Sequence, residues 1–318
     1  MSKRKREEEE EEDRIRKQAE EDQSNVTINL KKSICSINFR HGGIYEIDYE
    51  EVDQIPEEIF MLKKATSLRI SHDSITYIPK EISKLADSLI CADFNHNSKL
   101  CDIPKEIGAL TKLYGIELKD CDFKIIPSSI FSLINIVRMN MSGNKIKEIP
   151  KEIGLLTNLK WLYLARNLLT ELPIEIGQLS ALETLGLREN QIASLPKEIG
   201  QLTNLDSISL SENCLTYIPV EISLLTNLTS LDLNDNKLTT LPIEITKLTT
   251  LGKAINVFDN FLEFQEDIYS IEYSKHGLFG YMTKRAIMFK LGTLIFTYRM
   301  RLLHSQLAQL IMHYFVKK

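Results

Sequence analysis

Two histidines in the first third of the sequence, His72 and His96, lie close to carboxylates and a thiol that together suit zinc. These neighbours are Asp73, Asp93 and Cys91. Their spacing matches no zinc-binding motif, and the chain has no phosphate-binding loop, no GxSxG and no HExxH sequence. We therefore expect no bound metal, no cofactor and no enzymatic activity.

A second group of side chains suits recognition rather than catalysis. Trp161 is the only tryptophan, Tyr163 is on the same predicted strand, and we expect Arg138, Arg166 and Arg188 close by. Exposed Trp, Tyr and Arg are typical of the residues that dominate protein–protein binding energy. The group therefore predicts a protein-binding site. The alternative interpretation is that Arg138 only stacks on Trp161, as a surface cation–π pair worth about 0.5–1 kcal/mol.

Carboxylates dominate the region that follows. The acidic side chains expected on the same surface are Glu189, Glu212, Asp232 and Asp235, joined by Asp206 and Asp259. An acidic strip disfavours the phosphates of nucleic acid and suits a basic protein partner. The alternative occupant is the chain's own C-terminal segment, which has eight Lys or Arg and no Asp or Glu from Ser274 to Lys318.

The prolines reveal the scaffold that must position these side chains. All nine prolines lie between Pro56 and Pro242, and seven of the eight intervals are 23 residues. Isoleucine stands three positions after every proline and leucine six positions after it. This spacing predicts a short helix with the proline in its first turn, where the missing N–H costs nothing. A unit this small cannot bury its own apolar face, so the period predicts a solenoid of stacked repeats.

Upstream of each proline the apolar residues alternate, which predicts a strand with one buried face and leaves residues such as Trp161 and Tyr163 facing outward. An asparagine recurs after these strands, at Asn97, Asn144, Asn167, Asn190, Asn213, Asn236 and Asn260. Buried positions flank it, so we expect both of its amide atoms to bond the backbone of adjacent turns. Glu50, Asp73 and Cys121 replace it in three units, so the amino-terminal end of the array should be less regular.

One interval, from Pro79 to Pro104, is 25 residues long. The alignment places one extra residue within 85–89 and the other within 97–103. Both are expected to bulge in loops and to leave the strand at 91–95 in register, because a slip by one residue would turn its apolar face outward.

The phrase LxxLxLxxNxLxxLPxEIGxLTN, written between Leu159 and Asn204, resembles the leucine-rich repeat in its 23-residue intracellular form. Within it, LPxEIGxL resembles the Ras-group, Sur-8-like leucine-rich repeat proteins. The resemblance implies an α/β fold, a right-handed β-α solenoid or horseshoe with a parallel sheet on its concave face. It also implies a non-enzymatic intracellular scaffold or adaptor that binds a small GTPase or another signalling complex.

A second function fits the same scaffold: a substrate-recognition subunit of a ubiquitin ligase. The repeats would then hold the substrate, and the C-terminal helices would dock on the ligase. No ligase-binding motif is recognisable in the sequence.

The amino-terminal end is predicted in two parts. Residues 1–25 begin with the basic cluster Lys3 to Arg6 and continue with a run of glutamates, which predicts a disordered or frayed tail. This tail is either solubilising or a nuclear localisation signal. Residues 26–43 alternate and predict a β cap on the array, which spans 44–264.

The last part, residues 265–318, predicts basic helices near 281–290 and 292–315. They would cap the last repeat, contact an anionic membrane surface or dock on another protein. The five cysteines include no CxxC pair, and the amino terminus is charged, so we expect reduced thiols in a cytoplasmic protein, or a nuclear one if the basic cluster acts as a signal. We expect a monomer.

Overall fold

The computed structural model describes residues 26–30, 33–40, 44–50, 54–55, 59–60, 65–71, 74–248, 250–251 and 255–262. The charged tail at 1–25, His72 and Asp73, and the segments predicted as C-terminal helices lie outside these residues, and what was expected of them stays a prediction. The chain divides into two compact units, Met1–Phe261 and Leu262–Lys318, and the strands and helices below belong to the first.

The described strands form one sheet in which spatial order follows chain order. They are β1 (Val26–Leu30), β2 (Ser33–Arg40), β3 (Ile44–Glu50), β4 (Ser67–Ile70), β5 (Cys91–Asp93), β6 (Gly115–Glu117), β7 (Arg138–Asn140), β8 (Trp161–Tyr163), β9 (Thr184–Gly186), β10 (Ser207–Ser209), β11 (Ser230–Asp232) and β12 (Ile255–Asn256). The pairs β1–β2 and β2–β3 are antiparallel, and every pair from β3 to β12 is parallel. Strands β1 and β2 fall within the segment predicted as a β cap.

A short 3₁₀-helix follows each proline from Pro79 to Pro242. The helices are Lys80–Leu85, Lys105–Ala109, Ser128–Ser132, Lys151–Leu155, Ile174–Gln178, Lys197–Gln201, Val220–Leu224 and Ile243–Lys247. The prediction of a helix is confirmed, but the predicted place of the proline is wrong. Pro150, for example, precedes its helix as the N-cap, with φ −62° and ψ 149°. The N–H of Ile153 donates to its carbonyl at 3.0 Å, and this i+3 to i bond requires no helical angles at the proline itself.

The core lies between the strands and the helices of the stacked turns. In the repeat around β8, the strand residues Leu162 and Leu164 and the helix residues Ile153 and Leu156 all have 0% exposure. Each such side chain contributes about 1.5–3 kcal/mol by leaving water. Because the same positions are buried in repeat after repeat, the consensus residues hold the scaffold and the residues between them are free to face outward.

The recurring asparagine forms the predicted ladder. Asn167 donates from Nδ2 to the carbonyls of Leu164 in its own turn, at 3.0 Å, and of Met141 in the preceding turn, at 2.9 Å. Its Oδ1 accepts from the N–H of Ile146 at 3.0 Å. The same three bonds recur at Asn97, Asn144, Asn190, Asn213, Asn236 and Asn260. Each asparagine therefore ties two turns together through groups that would be costly to bury unpaired.

The longer interval leaves the sheet in register, as predicted. Cys91 pairs with Ser67 on one side and with Gly115 on the other, and Ala92 points into the core with 1% exposure. The irregularity appears in the ladder instead. The Sγ of Cys121 donates to the carbonyl of Phe94 at 3.3 Å, which replaces one of the asparagine's bonds.

Candidate functional site

The outward-facing strand residues form two rows on the concave face. The first row contains Ser67, Cys91, Gly115, Arg138, Trp161, Thr184, Ser207 and Ser230, and the second contains Arg69, Asp93, Glu117, Asn140, Tyr163, Gly186, Ser209 and Asp232. These are the neighbours that the 23-residue period predicts. Trp161 and Tyr163 are half-buried rather than fully exposed.

The alternative interpretation, in which Arg138 stacks on Trp161, does not match the structure. The guanidinium carbon of Arg138 lies 5.1 Å from the centre of the Tyr163 ring. The reason is Glu117, whose Oε1 accepts a hydrogen bond from Nε of Arg138 at 2.5 Å and draws the side chain from the first row towards the second. This hydrogen bond also raises the pKa of Arg138.

Glu117 also accepts a hydrogen bond from its neighbour in the second row, Asn140. Its other oxygen, Oε2, accepts from Nδ2 of Asn140 at 2.8 Å, and Oδ1 of Asn140 accepts from the N–H of Ser142 at 3.1 Å. Arg138 is thus fixed between a carboxylate and an aromatic ring before any partner arrives. Such preorganisation lowers the entropy that binding must overcome.

Trp161 lies beside Tyr114 and Lys160. Its ring lies 6.4 Å from that of Tyr114, tilted by 55°, and Nζ of Lys160 lies 6.0 Å from its centre. Lys160 also donates to Oε1 of Glu183 at 2.6 Å, and this hydrogen bond raises the pKa of Lys160. Tyr114 and Lys160 were missed in the sequence because they precede the strands. The signal was present, since both are one residue before the first outward-facing position of their repeat.

Arg166 and Arg188 do not join the aromatic side chains. Nη2 of Arg166 donates to Oδ1 of Asp120 at 2.9 Å, across two repeats. Arg188 pairs with Glu212 at 2.5 Å and with Glu189 at 3.2 Å. The predicted site therefore separates into an aromatic cluster, defined by Arg138, Trp161 and Tyr163 with Tyr114 and Lys160, and a set of ion pairs beside it. Only the first presents aromatic surface.

The acidic strip is partly neutralised. Arg188 forms ion pairs with Glu189 and Glu212. Asp232 and Asp235 form no ion pair with any residue that the structure describes. Oδ1 of Asp232 accepts from the N–H of Asn234 at 3.3 Å, and the Asp235 carboxylate accepts from the Asn234 side chain. Asp206 and Asp259 likewise have no ion pair within the described part of the chain. Negative charge thus remains available towards the last repeats.

Among the described residues, the His96 imidazole contacts a carboxylate. Its Nδ1 lies 3.2 Å from Oδ2 of Asp120. Among the residues that the structure describes, no three His, Cys, Asp or Glu side chains are grouped to hold a metal ion. Within the same residues, no helix has the length and apolar character needed to cross a membrane.

Two family models match the array. A leucine-rich repeat region matches residues 149–213, and a leucine-rich repeat matches residues 227–248. No curated protein is significantly similar to the sequence.

Solved structures with the same repeat cover about the same part of the chain. A leucine-rich repeat protein of Leptospira interrogans is 37% identical, with a TM-score of 0.65, over 70% of this chain and 56% of its own. The ectodomain of the Arabidopsis thaliana receptor kinase GASSHO1/SCHENGEN3, in complex with CASPARIAN STRIP INTEGRITY FACTOR 2, is 29% identical with a TM-score of 0.54, over 68% and 29% of the two chains. TLR13 in its complex with ssRNA13 is 27% identical with a TM-score of 0.59, over 67% and 32%.

This chain therefore spans 56% of the length of the Leptospira protein and less of the two receptors. The periodic strands and 3₁₀-helices, the asparagine ladder, the family models and the solved structures all agree. The chain therefore contains leucine-rich repeats and has the leucine-rich repeat fold.

Proposed function

We propose that this protein is a non-enzymatic adaptor that captures another protein on its concave face, through the aromatic cluster. The observation that carries the proposal is the position of Arg138, held by Glu117 against the ring of Tyr163 and next in register to Trp161. Trp, Tyr and Arg are the side chains that most often dominate binding energy. The leucine-rich repeat fold itself is commonly a protein-interaction module.

A protein partner is favoured over nucleic acid by the charge of the same face. Asp206, Asp232 and Asp235 form no ion pair with the described residues, and their negative charge would repel phosphates. The Arabidopsis relative is in complex with an integrity factor, whereas TLR13 is in complex with ssRNA. The acidic strip argues for the first kind of ligand in this protein.

The finer part of the proposal rests on the LPxEIGxL phrase. Its likeness to the Ras-group proteins supports a small GTPase or another signalling complex as partner, in the cytoplasm or, through Lys3 to Arg6, in the nucleus. The ubiquitin-ligase alternative depends on residues 265–318, and nothing in the described residues favours it.

Affinity capture with the full chain tests the proposal. Trp161→Ala and Tyr163→Ala are each expected to reduce the captured partner at least about tenfold, as loss of a central aromatic residue does. Tyr217→Ala is the matched control, because Tyr217 is 52% exposed and lies outside the aromatic cluster. Equal capture by the parent protein and all three variants would contradict the proposal. A large loss of thermal stability in Trp161→Ala would show that Trp161 is structural.

A further inference from the structure

The residues immediately before the strands form a row of their own along one edge of the concave face. The N–H of Tyr114 donates to the carbonyl of Ile90 at 2.7 Å, and the bonds from Val137, Lys160, Glu183 and Asp206 to the preceding member are each 2.8 Å. We call these six residues the pre-strand row. The bonds extend the sheet by one position and place neighbouring members about 4.8 Å apart.

The first half of the pre-strand row is apolar and accessible. Ile90 is 43% exposed and Tyr114 is 42% exposed. Val137 is half-buried between Tyr114 and Lys160, and the Tyr114 ring meets that of Trp161 at 6.4 Å. Three successive repeats therefore offer Ile, Tyr and Val, with Trp161 beside them, as one apolar surface. An apolar surface of this kind, bordered by polar residues, is typical of a binding site.

The second half of the pre-strand row is acidic. The Glu183 carboxylate bonds Lys160, and the Asp206 carboxylate accepts only from the Thr229 hydroxyl, at 2.8 Å, among the residues described. Asp206 is exposed, and it has no ion pair within this part of the chain. The Lys160–Glu183 ion pair is on the surface and therefore contributes little stability. A basic residue of a partner can replace Lys160 beside Glu183 at little cost in free energy. The row thus changes from apolar to negative over about three strand spacings, or roughly 14 Å.

We propose that the pre-strand row binds an extended segment of the partner that carries one large aromatic or aliphatic residue and a Lys or Arg about four residues from it. The apolar residue packs on Tyr114, Val137 and Trp161, and the basic residue faces Asp206. The spacing follows from about 14 Å across the strands and about 3.3 Å per residue of extended chain. Charge complementarity fixes the orientation, with the basic residue towards the last repeats.

This inference rests on the proposed function, since it names the chemistry of the partner on the same face. The probes are fluorescent peptides in a Gly/Ser background, with one Trp and two Lys three and four residues away, made in both sequence orders. Two matched peptides replace the Lys residues by Glu or the Trp by Ala. Binding to the full-length protein is measured by fluorescence anisotropy at about 50 mM and about 300 mM salt, because screening weakens exposed charge pairs.

We expect the Trp/Lys peptide, in one of its two orders, to bind at least about tenfold more tightly than either matched peptide at the lower salt concentration. The double variant Glu183→Gln with Asp206→Asn should remove most of that preference and most of the salt dependence. Its control is Glu148→Gln with Glu171→Gln, which removes the same charge from two exposed carboxylates outside the pre-strand row and should change neither. Trp161→Ala should weaken the Trp/Lys and Trp/Glu peptides alike.

The inference is overturned if the Glu peptide binds as tightly as the Lys peptide. It is also overturned if the Glu183/Asp206 variant behaves like its control, or if no peptide binds up to about 1 mM. The proposed function is tested separately, by affinity capture. It fails if Trp161→Ala captures as much of the natural partner as the parent protein does. A partner lost in Trp161→Ala together with peptides that ignore charge would leave the function standing and remove only the inference.

Discussion

The Arg166 guanidinium donates a hydrogen bond to the Asp120 carboxylate across the repeat that lies between them. This hydrogen bond depends on Gly143, which belongs to the intervening repeat. Nη2 of Arg166 lies 2.9 Å from Oδ1 of Asp120, and the same Oδ1 would lie 1.8 Å from a Cβ added at Gly143. The three residues belong to one row in which φ is positive, at 54° for Asp120, 70° for Gly143 and 54° for Arg166. Because Gly143 has no side chain, Asp120 and Arg166, in the repeats on either side of it, have room to form their hydrogen bond.

Replacing this glycine should therefore destabilise the array. Gly143→Ala is expected to cost about 1–2 kcal/mol in free energy of unfolding, because alanine is strained at positive φ and its Cβ displaces Asp120. Urea unfolding followed by circular dichroism measures the loss. Gly115→Ala is the control, since its Cβ would meet Arg138 atoms no closer than 3.8 Å. Equal effects of the two substitutions would contradict this account, as would the absence of any relief when Asp120→Ala is added to Gly143→Ala.

The asparagine ladder gives a larger expected effect. Asn190→Ala would leave the carbonyls of Leu164 and Leu187 and the N–H of Leu169 without their partner, in a site where Asn190 is 8% exposed. Each buried unpaired group costs about 1–3 kcal/mol, so we expect a loss of at least about 2 kcal/mol in free energy of unfolding. The same urea titration checks it.

A second, exposed asparagine offers the control for the ladder. Asn204 donates only to the carbonyl of Ser180, at 2.8 Å, on the surface, where water can replace it. Asn204→Ala should change the stability by about 0.5 kcal/mol or less. If both substitutions had the same small effect, the buried ladder would not be a main source of stability.

Cys121 should be chemically silent in the folded protein. Burial raises the pKa of its thiol from 9.0 to about 12, so almost no thiolate forms at pH 8. We expect Cys91 and Cys101, which are both exposed, to react with iodoacetamide at that pH while Cys121 reacts only after urea is added. Mass spectrometry of labelled peptides measures the order. Labelling of Cys121 as fast as Cys101 would contradict the assigned burial.

The same thiol predicts the direction of a pH effect. Its folded pKa lies above the unfolded value, so its contribution is fully present below about pH 9 and is lost as pH rises towards about 12. The unfolded chain loses this proton first, which favours unfolding in that range. Cys121→Ala should therefore flatten the decline of stability between about pH 9 and about pH 11, relative to the parent protein. An unchanged slope would show that other groups dominate there.

The scaffold was predictable because the residues that determine it recur at a fixed spacing. A buried leucine or asparagine meets the same environment in every repeat, so the spacing of Pro150, Leu162 and Asn167 determines strand, turn and ladder alike. The contacts of Arg138 were not predictable in this way. They depend on Glu117, which belongs to another repeat and follows no consensus, and on a choice between two rings of similar chemistry.

Two further features escaped the sequence for physical reasons. The positive φ of Arg166, Glu189, Glu212 and Asp235 is imposed by the backbone ladder, since Arg166 must turn its N–H towards the carbonyl of Arg188. Such a conformation is unusual for arginine and glutamate, and only Gly143 and the aspartates in the row hint at it. The pre-strand row lies outside the alternation that defines a strand, so that pattern does not indicate the exposure of Tyr114.

Glu117 should act on binding through the position it gives to Arg138. Once a partner is identified, Glu117→Gln is expected to weaken binding about threefold to tenfold, because the guanidinium would then have to be ordered on association. In an Arg138→Gln background the same change should cost little, so the double-mutant cycle should show a coupling of about 0.5–1.5 kcal/mol in binding free energy. Calorimetric titration of the purified partner gives all four values. Additive losses would mean that Glu117 touches the partner directly, and unchanged binding in Glu117→Gln would mean that Tyr163 alone holds Arg138 in place.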